Sequence, residues 1–264
     1  MSEHPTLYTK ETLIERLKEI REEGWIATIR PGNTGGVGNT LEFLLGIKEN
    51  NLPIPNAAEW ELKCQRLQSK SLTTLFHMEP SPTALKFIPG ILLPKYGWSH
   101  AEAGKKYHSE EMSFRQTIHA LGRSERGFMV KINHNEKKIL ISFDASTVSD
   151  KHMDWLSNVE RRIGLKEMEP QPYWGFDDLY HKAGTKLHNC FFVGAFHKKI
   201  NNLENFQYSK IFMLKTFSKE KFIGAIENGN ILIDFDARSG HNHGTKFRFR
   251  NNRLHELYEE VIEI

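Results

Sequence analysis

The sequence predicts a mixed α/β fold, in which a mixed sheet is flanked by helices. Residues 10–24 place apolar side chains at helical spacing between charged ones, and a glycine then ends the helix. Residues 127–143 alternate apolar and polar side chains around a turn at 133–136, a pattern typical of a β-hairpin. Residues 218–240 follow the pattern of a helix, a turn and a strand. Together these segments favour an α+β class over an all-helical or all-strand protein.

The remaining elements are predicted from breakers, caps and apolar spacing. In chain order they are a glycine-rich loop at 30–40, a helix at 41–51 capped by Thr40, a short strand at 59–63, its neighbouring strand at 71–78, an irregular segment at 79–110, a helix at 176–186, a strand at 187–199 and a closing helix at 253–264. Leu41, Leu44 and Leu45 are expected to face the core.

The composition is that of a folded protein. With 264 residues, the chain is long enough to bury a sizeable core as a single domain, 1–264. Hydrophobic residues make up 39% and charged residues 26%, which is too apolar for a disordered protein. No stretch approaches the roughly 20 apolar residues of a membrane span, and residues 1–10 do not resemble a signal peptide. A cytoplasmic protein without a membrane partner is therefore expected.

The net charge of +3 is small, but the charges are unevenly distributed. Basic residues concentrate late in the chain, above all in the run from Lys246 to Arg253. A local positive surface on a nearly neutral protein suits a protein that holds a nucleic-acid duplex on one face.

The two cysteines, Cys64 and Cys190, are too few for a disulfide framework or a four-ligand zinc site. We expect both to be reduced structural thiols.

The strand at 59–63 has two faces of opposite character, because strand side chains alternate. Glu59, Glu61 and Lys63 project on one side, and apolar residues project on the other. Two carboxylates can hold Mg²⁺, and a lysine can position an attacking water and offset developing charge. A Glu-x-Lys tripeptide alone is also compatible with an ordinary surface ion pair, so the spacing does not decide between a catalytic centre and a structural pair.

Five segments together resemble a known family of enzymes. They are NTGGVGNTLEFLLGI (33–47), NLPIPNAAEWELK (51–63), SLTTLF (71–76), IENGNILIDFDAR (226–238) and HNHGTKFR (241–248). The first three resemble the catalytic half, and the last two the recognition region, of the MvaI/BcnI family of type II restriction endonucleases. These are monomeric nucleases of the PD-(D/E)xK class, related to the mismatch-repair nickase MutH. The resemblance implies a restriction-endonuclease-like mixed sheet flanked by helices.

The resemblance also assigns a catalytic centre. Glu61 matches the family's metal-binding acid, Lys63 its catalytic lysine, and Glu42 an acid on the helix behind the site. Where the family has an aspartate, this chain has Asn56, which keeps a carbonyl oxygen for a metal but loses a charge. We expect Glu59 to compensate, because it shares a strand face with Glu61.

The resemblance further assigns DNA contacts near the end of the chain. The expected readers of G·C pairs, in a short site beginning CC and ending GG, are Arg238, His241, His243 and Arg248, with Lys246 and Arg250 nearer phosphates. The contiguous string His-Asn-His is unrelated to the HNH nucleases, which use three separated residues. A solvated basic edge strand and a histidine metal site are the alternatives. Residues 113–116 form a polar stretch that could face the minor groove.

The glycine-rich loop contains Gly32, Gly35, Gly36 and Gly38 before a predicted helix, where backbone N–H groups can hold a phosphate. A nucleotide-binding P-loop is excluded because Asn33 and Asn39 stand where that motif needs glycine and lysine. A DNA-backbone contact and a purely structural turn remain, and no nucleotide cofactor is expected.

The implied architecture has a catalytic lobe from about residues 1–80 with later strands, and a recognition lobe including about 170–250, which form the walls of a DNA cleft. The implied activity is Mg²⁺-dependent hydrolysis of double-stranded DNA by a monomer, through two successive nicks. A cognate DNA methyltransferase is expected to protect the host. The alternatives are a MutH-like strand-specific nickase, a DNA-binding protein that has lost catalysis, and a structural domain whose Glu-x-Lys is a surface pair.

Overall fold

The computed structural model describes residues 8–33, 35–47, 60–69, 71–250 and 253–264. The chain divides into two compact units, each built from more than one stretch of sequence. The first unit comprises Met1–Thr73, Ala183–Lys221 and Arg250–Ile264, and the second comprises Thr74–Lys182 and Phe222–Phe249.

Helices and strands are both abundant, which confirms the predicted mixed class. The helices are α1 (Lys10–Glu22), α2 (Gly36–Leu44), α3 (Leu93–Tyr96), α4 (Met153–Ile163), α5 (Phe176–Leu187) and α6 (Lys219–Glu227). The strands are β1 (Trp25–Ala27), β2 (Trp60–Arg66), β3 (Thr73–His77), β4 (Trp98–Ser99), β5 (Met112–Ile118), β6 (Phe128–Asn133), β7 (Lys138–Phe143), β8 (Tyr173–Gly175), β9 (Asn189–Ile200), β10 (Leu203–Phe217), β11 (Ile231–Arg238), β12 (His241–Asn242), β13 (Lys246–Phe249) and β14 (Tyr258–Glu263). Among the described residues, no helix has the length and apolar character that a membrane crossing requires.

The first unit is a mixed sheet covered by two helices. Its strand order is β1-β10-β9-β2, with β14 also paired to β10. β9 and β10 form a long antiparallel hairpin, and β2 runs parallel to β9. α1 and α2 bury apolar residues, among them Leu17 and Leu41, against Trp60, Leu62 and Phe191 of the sheet. This packing fixes which face of β2 belongs to the core.

α1 confirms the helix predicted near the start of the chain. Leu13, Leu17 and Ile20 are buried, as their helical spacing indicated. Thr9 and Thr12 form a reciprocal capping box at its beginning, and Gly24 lies just past its end with a φ of 76°. Positive φ is accessible to glycine at little cost, so the chain turns there into β1.

The start of α2 differs from the prediction. The helix begins at Gly36, so that Gly36 and Gly38 lie inside it and Thr40 is an interior residue. Because Thr40 lies inside the helix, it does not cap the helix. Its hydroxyl instead accepts a hydrogen bond from the Ile29 backbone N–H at 3.3 Å. A Cβ on Gly36 would lie 3.0 Å from the Thr28 hydroxyl, which explains a glycine at this close approach.

The second unit contains two sheets. One has the order β3-β13-β11-β5-β4 with β12 paired to β11, and the other has the order β6-β7-β8. β6 and β7 confirm the predicted hairpin, with Phe128 opposite Phe143 and Asn133 opposite Lys138. Apolar rings including Phe114, Phe128 and Trp155 pack against one another in its core.

β3 forms at the predicted position but has a different partner from the one predicted. We expected it to lie beside β2, whereas it pairs with β13 in the sheet of the second unit. A short connection made a local neighbour plausible. The neighbour of β2 is instead β9, more than 120 residues later in the sequence, a pairing that no local pattern encodes.

The predicted closing helix is wrong. Residues Leu254–Leu257 form one short 3₁₀ turn, and β14 then pairs antiparallel with β10, with Phe212 opposite Glu263. Apolar residues in this segment recur at a spacing that imitates a helix. They form a strand because β10 offers backbone N–H and C=O groups along this edge, which β14 satisfies.

Candidate functional site

β2 carries the central part of the candidate site. Its side chains alternate as predicted: Trp60 and Leu62 enter the core shared with α1 and α2, and Glu61 and Lys63 lie on the opposite face. This opposite face is also enclosed, because Glu61 is only 1% exposed. A carboxylate removed from water to this extent requires compensating charge.

Two lysines supply that charge, and both approach the same oxygen. The Lys63 ammonium lies 2.6 Å from Glu61 Oε1, and the Lys186 ammonium lies 3.6 Å from it. The second carboxylate oxygen, Glu61 Oε2, is buried and has no hydrogen-bond partner among the described residues. Within the described residues, Glu61 therefore has positive partners on one oxygen and no hydrogen-bond partner on the other.

The sequence analysis missed Lys186, which reaches Glu61 through the topology of the first unit. It lies in the last turn of α5, directly before β9. β9 runs parallel to β2, with Asn189 opposite Trp60 and Cys190 opposite Glu61. Because α5 ends two residues before β9 begins, the end of α5 lies beside the beginning of β2. A basic residue in a last helical turn is common, and only the strand pairing reveals this neighbour.

Two neutral groups also lie near Glu61. Burial raises the pKa of the Cys190 thiol to about 12, against a smaller lowering by the Lys63 charge. Burial also raises the pKa of the Tyr258 hydroxyl well above its ordinary value, and the charge of Glu61 adds to that shift. Both groups are therefore uncharged at neutral pH. Cys64 and Cys190 are both free thiols.

Asn56 and Glu59 lie outside the described residues, so their predicted roles as metal ligands remain predictions. Glu42 lies on α2, which packs on the core face of β2. Its charge helps to raise the pKa of the Cys64 thiol, although burial is the main cause. The structure thus associates Glu42 with Cys64, and a catalytic role for Glu42 also remains a prediction.

A divalent cation fits the uncompensated side of Glu61. Hard cations such as Mg²⁺ take oxygen ligands, and a buried carboxylate oxygen without a hydrogen-bond partner is such a ligand. No group of three His, Cys, Asp or Glu side chains within the described residues is arranged to hold a metal. Glu61 would therefore contribute an oxygen ligand through Oε2.

The glycine-rich loop borders a pocket of about 440 Å³ in the first unit. Its lining includes Gly32, Asn33 and Lys199, together with the ion pair between Arg66 and Glu204. The Asn33 side-chain oxygen accepts a hydrogen bond from the Gly35 N–H at 2.8 Å, which shapes the turn before α2. A DNA-backbone contact at this loop remains a prediction.

The second unit presents a charged sheet face built on β11. Asp234, Asp236 and Arg238 alternate with buried Ile233, Phe235 and Ala237, so the charged residues share one face. We call the face around these three residues the charged face.

The neighbouring strands place basic residues diagonally across from the two aspartates. Arg248 lies 3.2 Å from Asp234, and Lys246 lies 3.3 Å from Asp236. Arg115 on β5 contacts Asp236 from the other side at 2.8 Å. Burial acts to raise the pKa of Asp236, but the Lys246 and Arg115 charges outweigh it and hold that pKa below its usual value. Two predicted DNA contacts, Arg248 and Lys246, are therefore brought together here.

Arg238 is held at one end of the charged face. Its guanidinium donates to Glu111 at 2.9 Å and lies over the Tyr107 ring at 4.6 Å from the centroid. Carboxylate and ring fix the plane of the guanidinium, which a bidentate contact to a guanine edge requires.

His241 and His243 are both exposed, with ring centroids 4.3 Å apart. Gly244, with a φ of 81°, turns the chain after them. Thr245 is buried and donates through its N–H and its hydroxyl to the two oxygens of Glu79. Arg250, the remaining predicted phosphate contact, is exposed on the first unit.

Residues 113–116 form part of β5 rather than a free loop. Ser113 and Phe114 are buried, whereas the side chain of Arg115 is 60% exposed. Arg115 is therefore well placed to contact a ligand. The sequence indicates this exposure, because adjacent residues of a strand face opposite sides and Phe114 is apolar.

Comparison with solved structures identifies the class of protein to which this fold belongs. A structure described as "Restriction endonuclease MvaI-cognate DNA substrate complex" has a TM-score of 0.74 and 23% identity, covering 100% of this chain and 99% of that chain. A structure of restriction endonuclease MvaI in the absence of DNA has a TM-score of 0.55 and 23% identity, covering 98% and 99% respectively. The fold is thus that of restriction endonucleases.

The family model of the MvaI/BcnI restriction endonuclease family matches residues 14–258, so the chain belongs to that family. It is accordingly a type II restriction endonuclease. Comparison with curated protein sequences finds no significant match. Family membership removes the alternative of a structural domain with an incidental Glu-x-Lys pair.

Proposed function

We propose that this restriction endonuclease hydrolyses phosphodiester bonds of double-stranded DNA with Mg²⁺, at a centre formed by Glu61 and Lys63. The observation that carries the proposal is the buried Glu61 carboxylate, whose Oε1 contacts the Lys63 ammonium at 2.6 Å while its Oε2 lacks a partner among the described residues. In this proposal Glu61 binds the cation, and Asn56 and Glu59 are the additional oxygen ligands.

The chemistry divides between the cation and the lysine. A bound divalent cation would neutralise charge on the phosphate and make water more acidic. Lys63 has three N–H donors, and its contact with Glu61 uses one of them. The remaining donors can orient the attacking water and stabilise charge that develops on the phosphate oxygens. The exclusion of solvent around Glu61 strengthens each of these electrostatic interactions.

Sequence recognition is proposed for the charged face. Arginine can donate two hydrogen bonds to O6 and N7 of guanine, a combination that no other base offers in the major groove. The proposed readers of the G·C pairs in a CC...GG-like site are Arg238, His241, His243 and Arg248, and Lys246 and Arg250 are the proposed phosphate contacts. A related solved structure is a complex of MvaI with its cognate DNA, which supports a duplex as the ligand here.

The ion pairs of the charged face are compatible with this role. Arg248, Lys246 and Arg115 are paired to aspartates, yet each keeps solvent contact, with side-chain exposures of 29%, 20% and 60%. Pairs in contact with water contribute little net stability, so exchanging an aspartate for a base edge or phosphate costs little. The aspartates also keep the donors oriented before DNA arrives.

We further propose that the enzyme acts as a monomer in the cytoplasm, with one catalytic centre per chain, at Glu61 and Lys63, in a fold related to that of MvaI. One centre must cut the two strands in two successive nicks. A host that carries such an enzyme needs a cognate DNA methyltransferase to protect its own sites.

Plasmid cleavage tests the proposal. Supercoiled plasmid is incubated with the protein in Mg²⁺ or in EDTA, beside a Lys63→Ala variant. We expect an open-circular intermediate followed by discrete linear fragments, lost in EDTA and slowed about 10²- to 10³-fold by Lys63→Ala, the range for removing one transition-state donor. Cleavage of equal rate in EDTA or by Lys63→Ala would contradict the proposed centre.

A second candidate, a protein that binds DNA without cutting it, is favoured by Asn56, which removes a negative charge from the expected ligand set. Intact plasmid in Mg²⁺, together with retarded migration in a binding gel, would support this candidate. Accumulation of nicked plasmid without linear product would instead support a strand-specific nickase.

A further inference from the structure

Two positive charges converge on one oxygen of Glu61. Lys63 and Lys186 both contact Oε1, at 2.6 Å and 3.6 Å, and Oε2 is left without a partner among the described residues. One carboxylate therefore faces two ammonium groups. This excess of positive charge disfavours the binding of an additional, divalent cation, because like charges a few ångströms apart repel even when water screens them.

The two lysines differ in how they reach the carboxylate. Lys63 lies two residues along the same strand, and its side chain is 15% exposed. Lys186 lies in the last turn of α5 and has a long, flexible side chain that is 26% exposed. An ordinary last-turn lysine stabilises its helix by interacting with the helix dipole from a solvated position. Lys186 is instead directed to a buried carboxylate on a neighbouring strand.

We propose that Lys186 is a positioning residue that opposes cation binding at Glu61 until a DNA phosphate draws its ammonium away. The inference rests on the proposed function, because it requires Glu61 to be a ligand of the cation. A flexible lysine is a good point-charge partner for phosphate. When Lys186 exchanges Glu61 for phosphate, the carboxylate regains its net negative charge and the divalent cation binds more tightly.

This exchange couples the two ligands of the enzyme. DNA increases the affinity for the cation, and by linkage the cation increases the affinity for DNA. The free protein would thus be poorly loaded with metal, which limits cleavage away from a bound duplex.

The first experiment measures Mn²⁺ binding to the protein without DNA, by electron paramagnetic resonance of the free ion. Lys186→Met should bind Mn²⁺ about tenfold more tightly than the parent, because a repulsive charge near the ion is removed. Lys186→Arg, which keeps the charge, should behave as the parent. Lys18→Met is a matched control, since Lys18 is exposed on α1, which packs on the opposite face of the sheet from Glu61. Equal Mn²⁺ affinity of Lys186→Met and the parent would overturn the proposal.

The second experiment measures duplex binding in EDTA over a range of salt concentrations. Loss of one phosphate contact in Lys186→Met should reduce the slope of log K against log salt by about 0.9, and Lys18→Met should leave it unchanged. An unchanged slope in Lys186→Met would show that its ammonium does not move to a phosphate.

Glu61→Gln separates this inference from the proposed function. If Glu61→Gln binds Mn²⁺ as tightly as the parent, the cation is not held by Glu61 and both proposals fail. If Glu61→Gln loses Mn²⁺ while Lys186→Met matches the parent, only the role of Lys186 is refuted. Thermal unfolding of each variant verifies that it is folded.

Discussion

The surroundings of Glu61 and the charged face use the same kinds of residue in opposite ways. Around Glu61, two lysines share one buried oxygen, while the other oxygen has no hydrogen-bond partner in the part of the chain that the structure describes. On the charged face, Asp234 and Asp236 each have a basic partner of their own, and those partners remain in contact with water. The first arrangement is incomplete without a ligand, whereas the second is complete by itself.

This difference indicates how each region can serve a nuclease. The buried Glu61 Oε2, which has no hydrogen-bond partner among the described residues, favours a cation as its ligand once the charge of Lys186 is withdrawn, because the carboxylate has already been desolvated in folding. Ion pairs that keep contact with water can exchange partners at small cost, which suits the recognition and release of a duplex. We therefore expect substitutions around Glu61 to affect the rate of cleavage and substitutions on the charged face to affect which DNA is bound.

The largest expected effect comes from Glu61→Gln. The amide keeps the shape but removes the negative charge, so cleavage under single-turnover conditions should fall at least about 10²-fold. Duplex binding in EDTA should not weaken, since no DNA contact is lost and one negative charge is removed. A variant that cleaves at the parental rate would break the distinction between the two regions. Circular dichroism should accompany the assay, because two lysines lose their counter-ion.

Arg248→Ala should have the next largest effect, this time on recognition. We expect the affinity for a cognate duplex to fall by about 1–3 kcal/mol, with a smaller loss on non-cognate DNA, because a bidentate contact to guanine disappears. Fluorescence anisotropy on both duplexes measures the ratio. Arg161→Ala is the control, since Arg161 is an exposed arginine on α4 in the same unit. Equal losses on both duplexes would identify Arg248 as a phosphate contact rather than a reader.

The smallest effect should be that of Asp236→Asn on stability. The Lys246 and Arg115 charges lower the pKa of Asp236 in the folded protein. A carboxyl whose folded pKa is lowered contributes stability above its unfolded pKa, about 3.9, and loses that contribution as the pH falls through the folded value. Asp236→Asn should therefore reduce the free energy of unfolding by up to about 1 kcal/mol at pH 7.

The same difference should shrink only below about pH 3.9, as the pH falls through the lowered folded pKa of the parent carboxyl. Urea unfolding of parent and variant at pH 7 and at about pH 2 measures it. A difference that is constant over this range would mean that the ion pairs of the charged face do not stabilise the fold.

The sequence by itself determined the elements whose information is local. Periodic leucines, a threonine capping box and Gly24 define α1, and two alternating arms around a turn define the β6–β7 hairpin. Alternation along β2 also determined that Glu61 and Lys63 share a face opposite Trp60. In each case the physical cause, a side-chain period or a capping hydrogen bond, lies within a few residues.

Only the tertiary structure decided the features that depend on distant partners. The closing segment forms β14 rather than a helix because β10 offers an edge to pair with, and β3 joins β13 rather than β2. Lys186 reaches Glu61 because β9 runs parallel to β2, a pairing of residues more than 120 positions apart. The backbone groups of a strand edge and a buried charge are satisfied by the segment that the tertiary fold places beside them. The residues on either side of them in the sequence do not identify that segment.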